Sequence, residues 1–411
     1  MKIDSQKRKE TVDFMQSEIK HIITEYGDRD PGNVGEIKTL AHMQEQLGEY
    51  CDEVKSESFP VHPHAFFGWT YFIITFLILA QVLMFFSPIF SILSIVIAVV
   101  PMLMEFVFYK PFIDPLFEKR TSGNVWGTLK PSGEVKRRIV LNGHSDAVYE
   151  WHWHRIGGYK LFLTSIIIPV IGLIYLLALS IIICIVNGPI GVPQGWTLYA
   201  LIASVVFEPF FICFYFFSDT KTVVPGANDN LTACEMAIGT VKALKESGIR
   251  MENTEVVALI TGSEEAGLRG AKFFMKNNPE YGLEDGIETI FVTFETLREL
   301  DHLVIYNRDM NGITKNDDAV SLLAKQAGEK NGMNLTYGSV FAGATDAAAF
   351  SQAGRKATCF AAMAPEVKDY YHTRRDNWDN LNPECLAKVF DITLDMIEEF
   401  DKNGLPTVEN K

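Results

Sequence analysis

Four long apolar runs interrupt an otherwise polar sequence. Each has about 20 residues, close to the length that crosses roughly 30 Å of hydrocarbon as a helix. They occupy 66–86, 89–104, 161–186 and 196–217, and the last of them contains a charged residue, Glu208. A large soluble protein could hold one such run as a core helix, but four runs predict membrane spans. The short turns at 87–88 and 187–195 pair these spans into two transmembrane helical hairpins.

Outside the spans, the pattern alternates between strand-like and helix-like segments. Two amphipathic helices are predicted near the N-terminus, over 7–26 and 34–50. Five β-rich runs follow, at 138–142, 255–260, 289–294, 303–306 and 357–362. Helical patterns separate them, at 230–246, 267–277, 318–331 and 383–400. This alternation predicts an α/β three-layer sandwich with a mixed, mainly parallel sheet, whose ligands bind beyond the carboxyl ends of the strands.

The spans divide the chain into five segments. We expect N-terminal helices and a first strand in 1–65, a first hairpin in 66–109, a soluble segment in 110–160, a second hairpin in 161–217 and the main soluble domain in 218–411. Neither hairpin turn carries Lys or Arg, whereas the opposite flanks carry many. By the positive-inside rule, the soluble segments and both termini are expected in the cytoplasm.

Composition narrows the function classes. The formal net charge is −14, which argues against a nucleic-acid partner because such binding needs clustered Lys and Arg. Hydrophobic residues make up 48% of the chain, a fraction that excludes a disordered protein. The six cysteines form no CxxC pair, so neither a disulfide framework nor a thiolate zinc site is indicated.

Polar residues with metal-ligand chemistry follow several of the predicted strands. They are His144 and Asp146 in NGHSD, Asp229 in GANDN, Glu264 and Glu265 in GSEEAG, Glu295 in TFETL and His372 in DYYHTRRD. Two imidazoles and several carboxylates at separate strand ends can converge on a nitrogen- and oxygen-rich site that suits Zn²⁺.

Each of these residues also has an ordinary structural interpretation. An HxD triplet can simply end a surface strand, and Asp229 could cap a helix N-terminus. Adjacent Glu264 and Glu265 could complement a helix dipole without any chemistry. His372 could be an exposed loop residue. The order and context of the whole set favour a metal site over these separate explanations.

With that order of residues, the sequence resembles metallopeptidase family 28, the co-catalytic di-zinc exopeptidases of aminopeptidase Y and glutamate carboxypeptidase type. GANDN and the adjacent glutamates carry the resemblance most strongly, and it extends over most of 124–399 apart from the second hairpin. The resemblance implies an aminopeptidase-like domain with an eight-stranded mixed sheet and a cofactor of two Zn²⁺ per chain.

The family also implies a role for each site residue. Asp229 would bridge the two zinc ions, His144 and Glu295 would complete one metal site, and Glu265 and His372 would complete the other. Glu264 would be the general base. Asp146 would orient His144 through a hydrogen bond. The sequence departs from the family at Glu295, where Asp is common, which leaves metal preference or pocket size open.

Three further residues are candidates for a substrate pocket: Asp346, Tyr370 and Tyr371. A packed aromatic is the simpler interpretation of each tyrosine. Glu208 is a candidate functional residue within the membrane, because a carboxylate inside a span is costly and commonly faces a partner or a cavity.

We therefore predict a membrane-anchored zinc exopeptidase, an aminopeptidase first of all, that acts on peptides at the cytoplasmic face of a lipid bilayer. Two alternatives stay open. The substrate could be a lipid-linked or membrane-delivered amide or peptide, because both hairpins interrupt the catalytic segments. The chain could also be a silent receptor-like or scaffolding relative, although the ligands and the base are all present. The sequence alone does not separate aminopeptidase from carboxypeptidase action.

Overall fold

The computed structural model describes residues 3–282, 286–340 and 342–408. The chain divides into two compact units. The first comprises Met1–Pro63, Lys119–Val148 and Val223–Lys411, and the second comprises His64–Glu118 and Tyr149–Thr222. The second unit is therefore two insertions into the first. Its second insertion begins at Tyr149, earlier than the boundary at 161 expected from hydropathy, because the charged first turns of the helix hide its start.

Eleven strands are present among the described residues. In chain order they are β1 Glu53–Val61, β2 Arg120–Leu129, β3 Arg137–His144, β4 Tyr149–Trp151, β5 Ser218–Val223, β6 Thr254–Thr261, β7 Glu288–Leu297, β8 Leu303–Asp309, β9 Thr314–Lys315, β10 Thr336–Ser339 and β11 Lys356–Ala362. β3, β6, β7, β8 and β11 contain the five β-rich runs of the sequence, so those predictions are confirmed. β4 and β5 pair only with each other.

The first unit is built on one mixed sheet. Its strand order is β1-β2-β6-β3-β7-β11-β8-β10, and the two-residue β9 pairs with β8 outside this path. The central strands β6, β3, β7 and β11 are all parallel, whereas β1 and β2 at one edge are antiparallel. The eight strands of the path match the count implied by the family resemblance, and β9 is the addition.

Twelve α-helices accompany these strands in the described residues. They are α1 Ser5–Tyr26, α2 Val34–Tyr50, α3 Ala65–Met84, α4 Pro88–Met102, α5 His152–Asn187, α6 Trp196–Ala203, α7 Glu208–Tyr215, α8 Thr232–Glu246, α9 Arg269–Asn277, α10 Asp318–Lys330, α11 Asp346–Gln352 and α12 Pro383–Asn403. Side chains of Asn33, Asp317 and Asn382 accept backbone N–H groups at the starts of α2, α10 and α12, where these donors lack helical partners.

Helices cover both faces of the sheet in the first unit. Side chains of β7 alternate between the faces, as the period of two in a strand requires. Ile290 and Val292 join the core formed with α1, α2, α8, α10 and α12. Phe291 instead stacks on Phe350 of α11, with ring centroids 4.4 Å apart. The predicted three-layer α/β architecture is thus what the chain adopts.

The second unit consists of α3 to α7 with the β4–β5 ribbon. Four of its helical stretches are long and apolar enough to cross a membrane: Ala65–Met84, Pro88–Val107, His152–Asn187 and Trp196–Tyr215. Polar side chains within it pair with one another, since Gln81 donates to Ser204 and the Ser91 and Ser180 hydroxyls lie 2.9 Å apart. Its exposed side chains include large apolar ones such as Ile185, at 77% exposure. Such a surface suits lipid.

Candidate active site

The sheet brings the predicted ligands to one edge. His144 is the last residue of β3 and lies opposite Thr261, the last residue of the parallel strand β6. Glu264 and Glu265 follow β6, and Glu295 lies near the end of β7, the parallel neighbour of β3 on its other side. The carboxyl ends of parallel strands meet at one edge, so these side chains converge.

Asp229 lies between the two histidines. It precedes α8 in a turn with non-helical backbone, and the Asp229–Asn230 peptide is cis. Its Oδ1 is 3.4 Å from His144 Nε2, and its Oδ2 is 2.9 Å from His372 Nε2. One carboxylate therefore turns one oxygen towards each imidazole, which is the arrangement a bridging ligand needs.

Two groups of potential metal ligands share Asp229. The first is His144, Asp229 and Glu295, and the second is Asp229, Glu265 and His372. Within each group, the candidate ligand atoms all lie within 4.8 Å of one another. His372 Nε2 is 3.4 Å from Glu265 Oε1. The two groups have the same members as the two ligand sets that the resemblance implies, and their role as zinc ligands stays a prediction.

Asp146 connects His144 to the two glutamates. Its Oδ1 lies 3.3 Å from His144 Nδ1 and accepts the backbone N–H of Glu264 at 2.9 Å. Its Oδ2 accepts the backbone N–H of Glu265, also at 2.9 Å. The sequence predicts the contact with His144. The contacts with the glutamate turn were not foreseen, and they make Asp146 an anchor for three site residues.

Other site residues are fixed by neighbours that the sequence analysis missed. Asn230 and Thr296 each donate to a different carboxylate oxygen of Glu295. Asp376, in the loop after His372, accepts the backbone N–H groups of Asn228 and Asp229. An acidic residue shortly after the loop histidine was visible in the sequence, but nothing there showed that its partners are backbone groups.

The segment between α1 and α2 and the first turn of α2 also reach the site. The Arg29 guanidinium, 1% exposed, donates to carbonyls of Ser145 and Gly226. Glu36, fully buried, accepts the N–H of Ser263 immediately before Glu264. Neither residue was singled out from the sequence, because Arg29 falls in a polar turn between two predicted helices and Glu36 in the first turn of the second helix.

The electrostatics indicate a site built for cations. Burial, together with neighbouring carboxylates, raises the pKa values of Glu264, Glu265 and Glu295 well above their usual range. Asp229 differs: although burial opposes it, hydrogen bonds from His144 and His372 hold its pKa below the usual range. Burial also acts against a charged His144, yet Glu264, Asp146 and Asp229 raise its pKa. Crowded carboxylates beside two imidazoles are relieved by divalent cations.

The ligand set fits zinc. Imidazole nitrogen and carboxylate oxygen are both common zinc ligands, and each group offers three of them, which leaves a position for water or substrate. Orientation of His144 by Asp146 matches the carboxylate–histidine arrangement that supports zinc sites. Glu264 is in neither ligand group, and its Oε2 lies 3.8 Å from His144 Nε2.

The remaining candidates lie in different surroundings. The Tyr371 ring stacks on His372 with centroids 4.0 Å apart, beside the ligands. Tyr370 is 1% exposed and donates its hydroxyl to Glu299, so it is a packed aromatic. Asp346 is buried at the start of α11 and accepts a hydrogen bond from Thr261 Oγ1. Glu208 belongs to the other unit, in the first turn of α7.

Comparison with known proteins finds a family match for part of the chain and a fold match for nearly all of it. Residues 217–397 match the model of peptidase family M28. No curated protein sequence matches the chain. The matched region contains Asp229, Glu264, Glu265, Glu295 and His372, whereas His144 and Asp146 lie before it.

Solved structures resemble nearly the whole chain. A zinc aminopeptidase from Bacillus subtilis has a TM-score of 0.56 and 14% identity, covering 94% of this chain and 95% of that one. An aminopeptidase from Aneurinibacillus sp. strain AM-1 has a TM-score of 0.55 and 14% identity, covering 96% and 93%. A glutaminyl cyclase from Bacteroides thetaiotaomicron, bound to N-acetylhistamine, has a TM-score of 0.55 and 12% identity, covering 94% and 97%. The predicted aminopeptidase-like fold is confirmed.

Proposed function

We propose that this chain, whose residues 217–397 match the model of peptidase family M28, is a membrane-anchored di-zinc exopeptidase, first of all an aminopeptidase. The observation that carries the proposal is the position of Asp229. Its two carboxylate oxygens face different histidines, and it is shared by two three-ligand groups. A single-metal site would need only one of these groups.

The proposed chemistry assigns separate tasks to the adjacent glutamates. Zinc ions held by the two ligand groups would polarise the scissile carbonyl and lower the pKa of a water. Glu264 takes a proton from that water as it attacks the carbonyl and delivers it to the leaving amine. Peptide and water thereby yield a free amine and a carboxylic acid. Glu265 would instead serve as a metal ligand. Asp146 holds the backbone of both glutamates in place by accepting their N–H groups.

We further propose that the second unit spans a membrane. Its four long apolar helices and its apolar exposed surface support this assignment. An even number of crossings returns the chain to the same side after each insertion, so the segments with His144 and Asp229 stay together. The cationic flanks favour the cytoplasm as that side.

Two other enzyme functions compete with peptide hydrolysis: cyclisation of glutamine and hydrolysis of a lipid-linked amide. Glutaminyl cyclases share this fold, so cyclisation of an N-terminal glutamine is the competing reaction. The alternative of a lipid-linked or membrane-delivered amide also stays open, and Glu208 in the second unit is the candidate residue for it. A silent scaffold is disfavoured because both ligand groups and Glu264 are present together.

A substrate panel tests the proposal. Purified protein is assayed with aminoacyl amides, acyl-amino-acid amides, glutaminyl peptides and lipid-linked amides, each with and without a chelator. We expect chelator-sensitive release of amine from aminoacyl amides. Ammonia release from glutaminyl peptides without chain cleavage would instead identify a cyclase. No turnover of any substrate by zinc-loaded protein would favour the scaffold.

A further inference from the structure

Arg29 is the bulkiest fully buried side chain of the first unit, and all of its identified acceptors are backbone carbonyls. Its Nε donates to Ser145 O at 2.9 Å, Nη1 to Pro225 O at 2.7 Å and Nη2 to Gly226 O at 3.1 Å. Its own carbonyl accepts the N–H of Ala147 at 3.0 Å. Burying a guanidinium is costly unless its donors are satisfied, so this arrangement needs an explanation beyond packing.

The carbonyls that Arg29 contacts belong to two ligand loops. Ser145 lies between His144 and Asp146 at the end of β3, and Gly226 precedes Asp229 in the turn before α8. Gly226 has φ +59°, and a Cβ there would lie 2.6 Å from the Asp229 carbonyl and 2.9 Å from Arg29 Nη2. The two loops therefore approach each other closely around the guanidinium.

These same loops are the ends of the second insertion. The insertion interrupts the first unit after Val148, and the unit continues from Val223. The two ends are close together, because the N–H of Val224 donates to the carbonyl of Val148 at 3.0 Å. His144 and Asp229 are thus separated along the chain by the whole segment Tyr149–Thr222. A short connection would limit how far apart the two loops can lie, but an insertion of this length does not. The spacing of the loops must therefore be fixed by noncovalent contacts.

We propose that Arg29 is a positioning residue for the metal pair, which fixes the loop of His144 and the loop of Asp229 at the spacing that lets one carboxylate face both histidines. The importance of this role for catalysis rests on the proposed di-zinc function. The loop-fixing role itself concerns only this chain's own residues.

The side chain at 29 must be arginine for this task. A planar guanidinium presents donors in a rigid fork, so it can contact carbonyls of two loops at once. Lysine carries the same charge on a compact ammonium with a flexible stem and does not reproduce the fork. Arg29→Lys therefore keeps the buried charge while loosening the connection between the loops.

The test compares Arg29→Lys with a matched control, Arg138→Lys. Arg138 is also buried, with an ion pair to Glu255 and a donated hydrogen bond to the Glu280 carbonyl, but it lies at the opposite end of β3 from His144. Both variants lose a buried guanidinium from the first unit. Thermal unfolding measures the general cost of that loss in each.

Hydrogen exchange in metal-free protein provides the direct readout. We expect Arg29→Lys to accelerate exchange of the amides at 145–148 and 224–229, and Arg138→Lys to leave those amides at the wild-type rate. Equal exchange in wild type and Arg29→Lys at these amides would overturn the proposal. Acceleration of the same size in both variants would also overturn it, since the effect would then be general destabilisation.

Zinc affinity, measured by chelator competition, tests whether the spacing of the two loops affects metal binding. We expect Arg29→Lys to weaken zinc binding by about 10–100-fold, the usual cost of removing a supporting residue, with kcat recovering in excess zinc. Unchanged affinity would overturn the positioning role. If wild-type protein binds no zinc while the exchange result holds, the proposed function fails and the loop connection stands.

Discussion

At the scale of single residues, the candidate site contains side chains that face one another and side chains that hold backbone groups of distant loops. His144, Asp229 and Glu265 carry their chemistry in their identity and spacing, so the sequence predicted them. Arg29 and Asp376 act on carbonyls and N–H groups of distant loops. Every residue has such backbone groups, so no sequence pattern records which ones a side chain will contact.

Glu264→Gln tests the division of labour between the adjacent glutamates. Glutamine cannot accept the proton of the attacking water, so we expect hydrolysis to fall by about 10²–10⁴-fold. Zinc content should stay unchanged, because Glu264 is in neither ligand group. The matched control is Glu235→Gln, which alters a fully buried glutamate of α8 and should retain activity. Near-normal turnover of Glu264→Gln would refute its role as the base.

At the scale of elements, the continuity of apolar residues decided which strands the sequence showed. β3, β6 and β7 are central and parallel, and they appear as apolar runs because both faces are covered. β2, next to the edge, is interrupted by polar and small residues and was not predicted. The start of α5 was also missed, since its first turns carry His152, Trp153 and Arg155 before the apolar stretch begins.

The turn before α8 supplies a prediction about glycine. Gly226 and Gly248 have similar positive φ angles, +59° and +66°, but a Cβ meets close neighbours only at Gly226. Gly248→Ala should therefore cost about 1 kcal/mol through backbone strain alone. Gly226→Ala should cost more and should also weaken zinc binding, because the added methyl displaces Asp229. Equal unfolding midpoints and equal zinc affinities would contradict this account of the turn.

The crowded carboxylates predict how metal-free protein responds to pH. A carboxyl with a raised folded-state pKa contributes stability that is complete below its unfolded value of about 4.3 and is lost as pH rises through the folded value. Raised pKa values are found at four site residues, Glu264, Glu265, Glu295 and His144. The lowered pKa of Asp229 affects stability only under acid conditions. The unfolding midpoint of metal-free protein should therefore fall as pH rises above about 4.3 and through the raised folded-state values.

Zinc should reverse that trend, because its ligands bind in their deprotonated forms. The difference in unfolding midpoint between zinc-loaded and metal-free protein should therefore widen with rising pH. A metal-free protein that becomes more stable towards alkaline pH would show that the carboxylates do not repel one another as described.

At the scale of the whole molecule, the chain interrupts a peptidase fold twice with apolar helices. An anchor needs only one span at a terminus, whereas here the insertions occupy His64–Glu118 and Tyr149–Thr222. The sequence predicted four spans because length and hydropathy suffice for that inference. It also predicted their sidedness from the charges of the flanks. The structure has four helices long and apolar enough to cross a membrane, while insertion and sidedness remain predictions.

Cysteine labelling tests the sidedness. Gln194 lies exposed in the second hairpin turn, and Glu134 lies exposed in the first unit. We expect Gln194→Cys to react with an impermeant thiol reagent in intact cells and Glu134→Cys to react only after lysis. Wild-type protein, with its six native cysteines, gives the background. The reverse labelling pattern would place the peptidase unit outside the cytoplasm.

The central claim is that one aspartate joins two metal sites, and the zinc content of the purified protein tests it most directly. Elemental analysis of wild-type protein in detergent should give about two zinc ions per chain, the number that co-catalytic chemistry requires. Asp229→Ala removes the shared ligand and should lose both ions, whereas Glu264→Gln should keep both. One zinc ion or none in wild type, or two zinc ions in Asp229→Ala, would contradict the account.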